Sequence, residues 1–223
     1  MQIGEGVVQE VFFDRNSAAR ILCPKGLIPA PGQYLLAEPK SDPASLLPVP
    51  VFPAASADGG FLAASPFPAT WHPGTSLTLR GPLGNGFSLP SAARSVALAA
   101  FGETTQRLAA LVEPALSQGA AVTLLCPQTP AGLPNAVEVM PLESLHEVLR
   151  WADYCALDMP REKIEVLSVL FNSKVRSSQA QILLTSPMPC GGRGDCGICA
   201  VTVKRGFKLI CKDGPVLDLN LFL

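Results

Sequence analysis

Charged residues are scarce in this chain of 223 residues: Asp, Glu, Lys and Arg together make up 16%, and the formal net charge is −1. Without a basic excess, neither nucleic acid nor an anionic membrane surface is an expected partner. No apolar run reaches the ~18–20 residues that a membrane-spanning helix needs. The low charge, beside 48% hydrophobic residues, is typical of a surface that a partner protein covers, and equally of a Pro- and Ala-rich composition.

Histidine is rare as well, since His72 and His146 are the only two. We assign neither to a catalytic or metal site, and we interpret His72, which precedes Pro73-Gly74, as a turn residue. We also expect no secretory signal, because Met1–Glu5 has no basic region ahead of an apolar stretch. Seven cysteines without such a signal argue against a disulfide framework. We therefore expect a reduced, cytoplasmic protein.

Four of the cysteines lie close together in the sequence. Cys190, Cys196, Cys199 and Cys211 have the spacing C-x5-C-x2-C-x11-C, with three glycines between the first two. Glycine lets a loop wrap closely around a metal cluster, with its backbone N–H groups facing the sulfurs. The plant-type [2Fe–2S] pattern is C-x4-C-x2-C with a distant fourth cysteine, and this loop has one residue more. We predict that the four cysteines bind a [2Fe–2S] cluster.

Two other interpretations of these cysteines stay open. The same four thiolates could hold a structural zinc ion, although zinc prefers two C-x2-C knuckles and only Cys196 and Cys199 form one. They could also be free or disulfide-bonded thiols. The other three cysteines, Cys23, Cys126 and Cys155, lie in or beside predicted strands, and we expect them to be buried structural thiols.

The first 90 residues predict a small antiparallel β-barrel. Short apolar runs alternate with proline and glycine turns, and no segment has convincing helical periodicity. The predicted strands are Val7–Phe13, Ala18–Cys23, Gln33–Glu38, Gly60–Ala64 and Ser76–Arg80.

Residues 91–175 change character and predict an open parallel α/β sheet. Ser95–Ala100 and Ala120–Cys126 are continuous apolar runs, as in buried parallel strands. Between them Glu103–Gln118 has helical spacing, with Pro114 expected to kink or shorten the helix. Further predicted elements are strands at Val137–Met140 and Asp153–Leu157 and helices at Glu143–Trp151 and Arg161–Phe171.

Residues 176–223 predict a small C-terminal appendage around the cysteines. Gln179–Thr185 and Ala200–Lys204 are expected to be strands that flank the cysteine loop, and Phe207–Ile210 a strand that pairs back and presents Cys211. The apolar tail Val216–Leu223 either binds a partner or folds back onto this chain.

Three stretches resemble the electron transfer subunit of dihydroorotate dehydrogenase B, in the ferredoxin-reductase-like family. They are Cys190–Cys199, the string Cys211-Lys212-Asp213-Gly214-Pro215-Val216, which is the most specific, and Gly81-Pro82-Leu83-Gly84-Asn85-Gly86-Phe87. The resemblance implies a flavin-binding-like barrel in residues 1–90, an NAD-binding-like domain in 91–175 and a [2Fe–2S] domain in 176–223. Gly81–Phe87 would connect the barrel to the next domain.

The residues that grip flavin in that family are depleted here. Pro31-Gly32-Gln33-Tyr34 is similar to the family's PGQ-aromatic motif, although we interpret Tyr34 as a core aromatic. The family's Arg-Pro-x-Ser run corresponds to Val49-Pro50-Val51-Phe52, which keeps the proline and lacks the arginine and serine that hold the pyrophosphate. A Gly-x-Gly-Thr phosphate turn is missing between Gly60–Ala64 and His72–Thr75. We expect FAD to be bound weakly or not at all.

The nucleotide site that the family would place in the α/β domain also departs from the pattern. In Ala99–Thr105 only Gly102 remains of a glycine-rich phosphate turn, and Glu103 puts a carboxylate where a phosphate should sit. The family's Cys-Gly-Pro is replaced by Cys155-Ala156-Leu157-Asp158-Met159-Pro160. We expect no NAD binding.

The resemblance implies that a partner's FMN is reduced by dihydroorotate and that the cluster passes the electrons on to FAD and NAD. Only the cluster stage is supported by residues of this chain, and none of its residues looks like a catalytic acid, base or nucleophile. The sequence therefore predicts a non-catalytic electron-transfer subunit that relays single electrons to or from a flavin-containing catalytic partner. The alternative is a zinc-stapled scaffold subunit without a redox role.

Overall fold

The computed structural model describes residues 1–13, 17–40, 47–102, 104–171 and 179–223. The N-terminal part forms a seven-stranded antiparallel sheet, with alternating residues on a strand facing its core. In chain order the strands are β1 (Gln2–Phe12), β2 (Ala18–Leu22), β3 (Tyr34–Pro39), β4 (Val49–Val51), β5 (Pro53–Ala57), β6 (Gly60–Ala64) and β7 (Ser76–Leu83), with a 3₁₀ turn at Lys25–Leu27.

The sheet curls back on itself. Its strand order is β4-β3-β7-β1-β2-β6-β5, so β4 and β5 are the two edges, yet only Phe52 separates them along the chain. The carbonyl of Phe52 accepts a hydrogen bond of 2.8 Å from the N–H of Ala64 on β6. The predicted antiparallel barrel-like domain is thereby confirmed. All five predicted strands are present, whereas β4 and β5 were not predicted, because prolines in both disguise them as loop.

The second part has buried parallel strands connected by short helices. These are β8 (Ser95–Ala100), α1 (Gln106–Ala109), α2 (Val112–Ser117), β9 (Ala121–Leu125), β10 (Val137–Met140), α3 (Leu145–Trp151), β11 (Tyr154–Pro160), α4 (Val166–Leu170) and β12 (Ala180–Thr185), with 3₁₀ turns at Leu142–Ser144 and Arg161–Lys163. All six residues of β8 are buried, as the continuous apolar run predicted.

Pro114 breaks the single helix that was predicted for Glu103–Gln118. One helix through that span would need the N–H of residue 114 and would push the proline ring against the carbonyl of Ala110. The chain instead leaves α1 at Ala110 and starts α2 with Pro114 as its third residue, where a backbone N–H has no partner within the helix. Glu103 lies outside the described residues.

The C-terminal part consists of a hairpin, a helical turn and one further strand. These are β13 (Ala200–Val203), β14 (Gly206–Leu209), α5 (Ile210–Asp213) and β15 (Val216–Asp218), followed by a 3₁₀ turn at Leu219–Leu221. β13 and β14 pair antiparallel, so the chain turns back as predicted and places Cys211 beside Cys199.

One strand of the C-terminal part, β15, joins the large sheet beside β12. Its order is β10-β9-β8-β11-β12-β15, with β15 the one antiparallel member, and its parallel strands have the order of a doubly wound fold. β12, which was expected to flank the cysteine loop, pairs in parallel with β11. The apolar tail folds back onto this chain through β15. The predicted division at residues 90 and 91 falls between β7 and β8, and the one at 175 and 176 lies outside the described residues.

The connector Gly81–Phe87 packs directly against the string that begins at Cys211. The N–H of Asn85 donates to the carbonyl of Gly214 at 2.7 Å, and its side-chain amide donates to the carbonyl of Asp213 at 2.8 Å. Asn85 and Pro215 also form an isolated parallel bridge. Two of the three stretches that carry the family resemblance therefore form one joint between the barrel and the cysteine segment. None of the described helices is long and apolar enough to cross a membrane.

We predict that Gly84→Ala weakens this joint. Gly84 has φ +74°, and an added Cβ would lie 2.4 Å from Cδ of Pro215 and 2.6 Å from the carbonyl oxygen of Gly214. The clash should lower the free energy of unfolding by about 1–3 kcal/mol. This loss adds to the ~1–2 kcal/mol that any alanine costs in a left-handed backbone conformation. Gly132→Ala is the matched control, because Gly132 has φ +75° and no atom within 4 Å of its added Cβ. Urea denaturation should show the larger loss at position 84; equal losses would contradict a packed joint.

Candidate metal centre

The structure brings the four predicted cysteines together at one end of the β13–β14 hairpin. Cys190 and Cys196 lie on the loop after β12, Cys199 immediately precedes β13, and Cys211 lies in α5. The exposed fractions of Cys199 and Cys211 are 1% and 4%, whereas Cys190 is half-buried and Cys196 is exposed. All are free thiols in this structure. The site is thus buried on one side and open to solvent at Cys196.

The four thiols form two neighbouring pairs. Cys190 and Cys196 influence each other's protonation, as do Cys199 and Cys211. The pairs are close enough for the charge of Cys190 to act on Cys211. Among the residues that the structure describes, no three His, Cys, Asp or Glu side chains converge on a single ion position.

Backbone N–H groups of the loop point at the sulfurs. The N–H groups of Asp195, Gly194 and Arg193 favour the thiolate of Cys190 and lower its pKa, and that of Gly194 acts in the same direction on the pKa of Cys211. The chain can turn so tightly because its glycines adopt left-handed backbone conformations that other residues rarely enter. These are Gly191, Gly192, Gly194 and Gly197, with φ of 61°, 75°, 81° and 71°.

The pKa values of the thiols show what this arrangement favours. Burial raises the pKa of Cys190, but hydrogen bonds from the N–H groups of Asp195 and Gly194 and from Cys196 outweigh it and lower that pKa to about 6. Burial, together with the hydrogen bond and charge of Cys199, raises the pKa of Cys211 to about 12. Several thiolates this close repel one another unless a cation replaces their protons, so metal binding here releases protons.

Two side chains of the barrel hold the cysteine loop. The hydroxyl of Tyr34 on β3 donates to the carbonyl of Cys211 at 3.1 Å, and the guanidinium of Arg80 on β7 donates to the carbonyl of Gly191. Tyr34 is fully buried, and its pKa is raised by burial and by the charges of the nearby cysteines. Tyr34 is therefore more than the core aromatic that the sequence predicted. Its hydroxyl partner lies 177 residues away, which no local pattern reveals.

The other cysteines take no part in this site. Cys126 and Cys155 are buried, as expected, whereas Cys23 is only half-buried. Burial raises the pKa of all three thiols, so they remain protonated and unreactive. His72 is exposed and lies in the turn before β7, where its ring Nδ1 lies 3.0 Å from the carbonyl of Pro73.

A separate cleft of about 660 Å³ lies between the barrel and the parallel sheet. Val49, Pro50 and Phe52 line it from the barrel, and Gly102 and Pro160, at the carboxyl ends of β8 and β11, line it from the sheet. Doubly wound sheets bind ligands at this position. The barrel residues that correspond to the family's flavin-gripping run thus reach the cleft wall with carbon side chains only.

A buried ion pair that the sequence did not reveal lies beside this cleft. Nε of Arg107 on α1 lies 2.9 Å from Oδ2 of Asp158 on β11, and their side chains are 6% and 0% exposed. Burial raises the pKa of Asp158, an effect that the charge of Arg107 partly offsets. Arg107 also donates to the carbonyl of Ser65 at 3.3 Å and lies 5.9 Å from the ring centroid of Phe52. Arg107, a buried cation that lines this cleft, is thus already paired with a carboxylate.

Comparison with known proteins agrees with this site. Residues 186–222 match the iron-sulfur cluster binding domain of dihydroorotate dehydrogenase B. The matched stretch contains all four cysteines and the joint at Gly214–Pro215. No curated protein sequence matches the chain significantly.

Solved structures show the same fold along most of the chain. An NADH-dependent reduced ferredoxin-NADP oxidoreductase, described for flavin-based electron bifurcation, is 18% identical, with 97% of this chain and 88% of that one covered and a TM-score of 0.75. The ferredoxin reductase in carbazole 1,9a-dioxygenase is 16% identical, with 81% and 66% covered and a TM-score of 0.61. A ferredoxin NADP+ reductase from Neisseria gonorrhoeae with bound FAD and NADP is 12% identical, with 83% and 98% covered and a TM-score of 0.54.

These comparisons confirm the resemblance and the fold class that the sequence predicted. The chain has a ferredoxin-reductase-like fold, and its C-terminal segment is similar to the iron-sulfur domain of the dihydroorotate dehydrogenase B electron transfer subunit. Together they support an electron-transfer protein with an iron–sulfur centre.

We predict that Tyr34→Phe loosens the cysteine segment. The carbonyl of Cys211 loses its buried donor, which should lower the free energy of unfolding by about 1–3 kcal/mol and speed the release of bound metal to a chelator. Tyr154→Phe is the control, because its hydroxyl bonds Oε1 of Gln181 at 2.8 Å, and that oxygen keeps a hydrogen bond of 2.8 Å from Ser88. Equal metal release from the two variants would show that Tyr34 does not hold the centre.

Proposed function

We propose that this chain is the iron–sulfur subunit of a larger oxidoreductase, with one [2Fe–2S] cluster bound by Cys190, Cys196, Cys199 and Cys211. The observation that carries this proposal is that all four cysteines come together around one glycine-rich loop, in the stretch that matches an iron-sulfur cluster binding domain. A [2Fe–2S] cluster has two irons, and each takes two cysteine ligands. Cys190 with Cys196 and Cys199 with Cys211 supply these two pairs.

The residues present fit such a cluster better than they fit a zinc ion. Structural zinc sites prefer two C-x2-C knuckles, whereas only Cys196 and Cys199 form one here, and the matched family binds an iron-sulfur cluster. The N–H groups of Arg193, Gly194 and Asp195 would donate to the ligand sulfurs and balance their negative charge. A zinc-stapled scaffold is the competing proposal. The two proposals predict different colours, because an iron–sulfur protein is red-brown and a zinc protein is colourless.

When bound, a [2Fe–2S] cluster accepts and donates one electron at a time. The buried Cys199 and Cys211 would keep water from its inner side. The exposed Cys196 would mark the side from which a redox partner approaches. The seven free cysteines suit a reducing compartment such as the cytoplasm.

The cleft fits FAD poorly. The Neisseria gonorrhoeae structure of this fold contains FAD, but here the cleft wall has Val49 and Phe52 where the family has arginine and serine. The guanidinium of Arg107 is bonded to Asp158 and to the carbonyl of Ser65, so its positive charge is already compensated by a carboxylate. The chain would therefore exchange electrons with the flavin of a separate catalytic subunit.

The cleft fits NAD no better. After β8 only Gly102 remains of the glycine-rich turn that would bind the nucleotide's phosphates. Without its own flavin, the chain lacks the two-electron acceptor that hydride transfer from a nicotinamide requires.

The experiment that tests the metal assignment is chemical analysis of anaerobically purified protein. About two irons and two acid-labile sulfides per chain are expected, from the cluster formula. Cys→Ser at each of the four positions should abolish the visible absorption, whereas Cys155→Ser, a buried thiol outside the site, should leave it intact. Stoichiometric zinc without labile sulfide would establish the scaffold proposal instead.

The flavin assignment is tested by binding and turnover of the isolated, cluster-replete chain. Losing two charge-assisted hydrogen bonds, about 1.5–3 kcal/mol each, weakens FAD binding by roughly 10²-fold or more. A dye-linked NADH assay should then show no saturable turnover, with or without added FAD. Robust turnover by the chain alone would identify it as a complete reductase.

A further inference from the structure

Arg80 lies on the barrel, directly beneath the cysteine loop. It belongs to β7, where its backbone is opposite Leu36 of β3 and Ile3 of β1, and its side chain is half-buried. Its guanidinium donates to the carbonyl of Gly191, the residue that follows the ligand Cys190. A Cβ added at Gly191 would lie only 3.0 Å from Nη2 of Arg80. The guanidinium of Arg80 is thus in direct contact with the loop that carries Cys190.

Further contacts place Arg80 close to the sulfurs. Arg80 and Cys190 line the same groove of about 320 Å³. Tyr34, whose hydroxyl holds the other arm of the loop, is within electrostatic reach of Arg80 and of Cys211, Cys199 and Cys190. The barrel side of the centre therefore carries a fixed positive charge, and the opposite side opens to solvent at Cys196.

The charge of Arg80 has no fixed counterion among the described residues. Arg107 is paired with Asp158, and Arg193 with Asp195 at 3.2 Å, whereas none of the carboxylates in the described part of the chain forms an ion pair with Arg80. Glu38 lines the same groove but is exposed, so water screens it. The field of Arg80 thus acts mainly on the cysteine centre.

We propose that Arg80 sets the reduction potential of the metal centre. Reduction adds one electron, and so one negative charge, to a cluster that four thiolates already make anionic. A nearby half-buried cation stabilises the reduced form more than the oxidised form, and net charge and hydrogen bonding are known determinants of cluster potential. Arg80 makes the centre a better electron acceptor. This inference rests on the proposed iron–sulfur function, and Arg80 acts through its field and its hold on Gly191 rather than as a ligand.

The test is a redox titration of the cluster-loaded protein and three variants, followed by visible absorption and electron paramagnetic resonance. Arg80→Met removes the charge with little change in volume, and Arg80→Lys keeps it. Arg205→Met is the control, because Arg205 is an exposed cation in the turn between β13 and β14, at the far end of the hairpin from Cys199 and Cys211. Iron and sulfide contents are measured on every sample.

We expect Arg80→Met to lower the equilibrium constant for one-electron reduction of the cluster by about tenfold or more. This corresponds to a decrease of about 59 mV in the reduction potential. Arg80→Lys should recover most of this shift, and Arg205→Met should change the equilibrium by less than threefold. A full cluster with the unaltered potential in Arg80→Met would overturn the proposal. So would an equal shift in the Lys and Met variants, or loss of the cluster from Arg80→Met, because Arg80 would then act by geometry alone. Absence of iron and sulfide from the unsubstituted protein would instead refute the proposed function.

Discussion

The structure depends on the crowding of four thiols at the end of one hairpin. Burial and mutual repulsion keep Cys211 protonated, while a row of N–H groups draws Cys190 toward the thiolate form. These opposed tendencies are reconciled when cations take the place of the protons, because every sulfur can then be ionised without an uncompensated buried charge. Positively charged iron at this position would stabilise the C-terminal segment as well as carry electrons.

The barrel and the parallel sheet serve this centre as supports. Tyr34 and Arg80 reach the loop from neighbouring strands of the barrel, and Asn85 fixes the backbone just after Cys211. β15 then adds the following residues to the edge of the parallel sheet. In the cleft between the barrel and the parallel sheet, Arg107 is paired with Asp158. The positive charge that would attract a phosphate there is therefore already compensated. The fold thus supports the cysteines from both sides, while the barrel wall of the cleft presents the carbon side chains of Val49, Pro50 and Phe52.

Local patterns predicted the parts of the fold that depend on local chemistry. The continuous apolar run of β8 and the short apolar run of β6 predicted the correct strands, and the cysteine spacing predicted which thiols lie near one another. The breaking of one helix into α1 and α2 follows from the chemistry of Pro114 alone. β4 and β5 were missed because prolines occupy an extended segment whose strand character comes from pairing with β3 and β6. The position of β12 in the parallel sheet depends on its pairing with β11, which its own residues do not encode.

The long-range contacts of the site were beyond sequence reasoning for a similar reason. Arg107 and Asp158 are 51 residues apart, and Arg80 and Gly191 are 111 apart. Each of these residues looks ordinary in its local context, and only the packing of three segments around a shared core brings them together. Buried polar contacts of this kind are therefore where a structure adds most to a motif.

The central claim is that four cysteines hold a two-iron, one-electron centre, and Mössbauer spectroscopy of the ⁵⁷Fe-loaded protein tests it most directly. The oxidised protein should show ferric iron in a diamagnetic, spin-coupled state. Reduction by one electron should give equal signals from one ferric and one ferrous iron, since a [2Fe–2S] centre takes a single electron. Mononuclear iron, a delocalised four-iron spectrum, or failure to take up iron while zinc binds in its place would contradict the account.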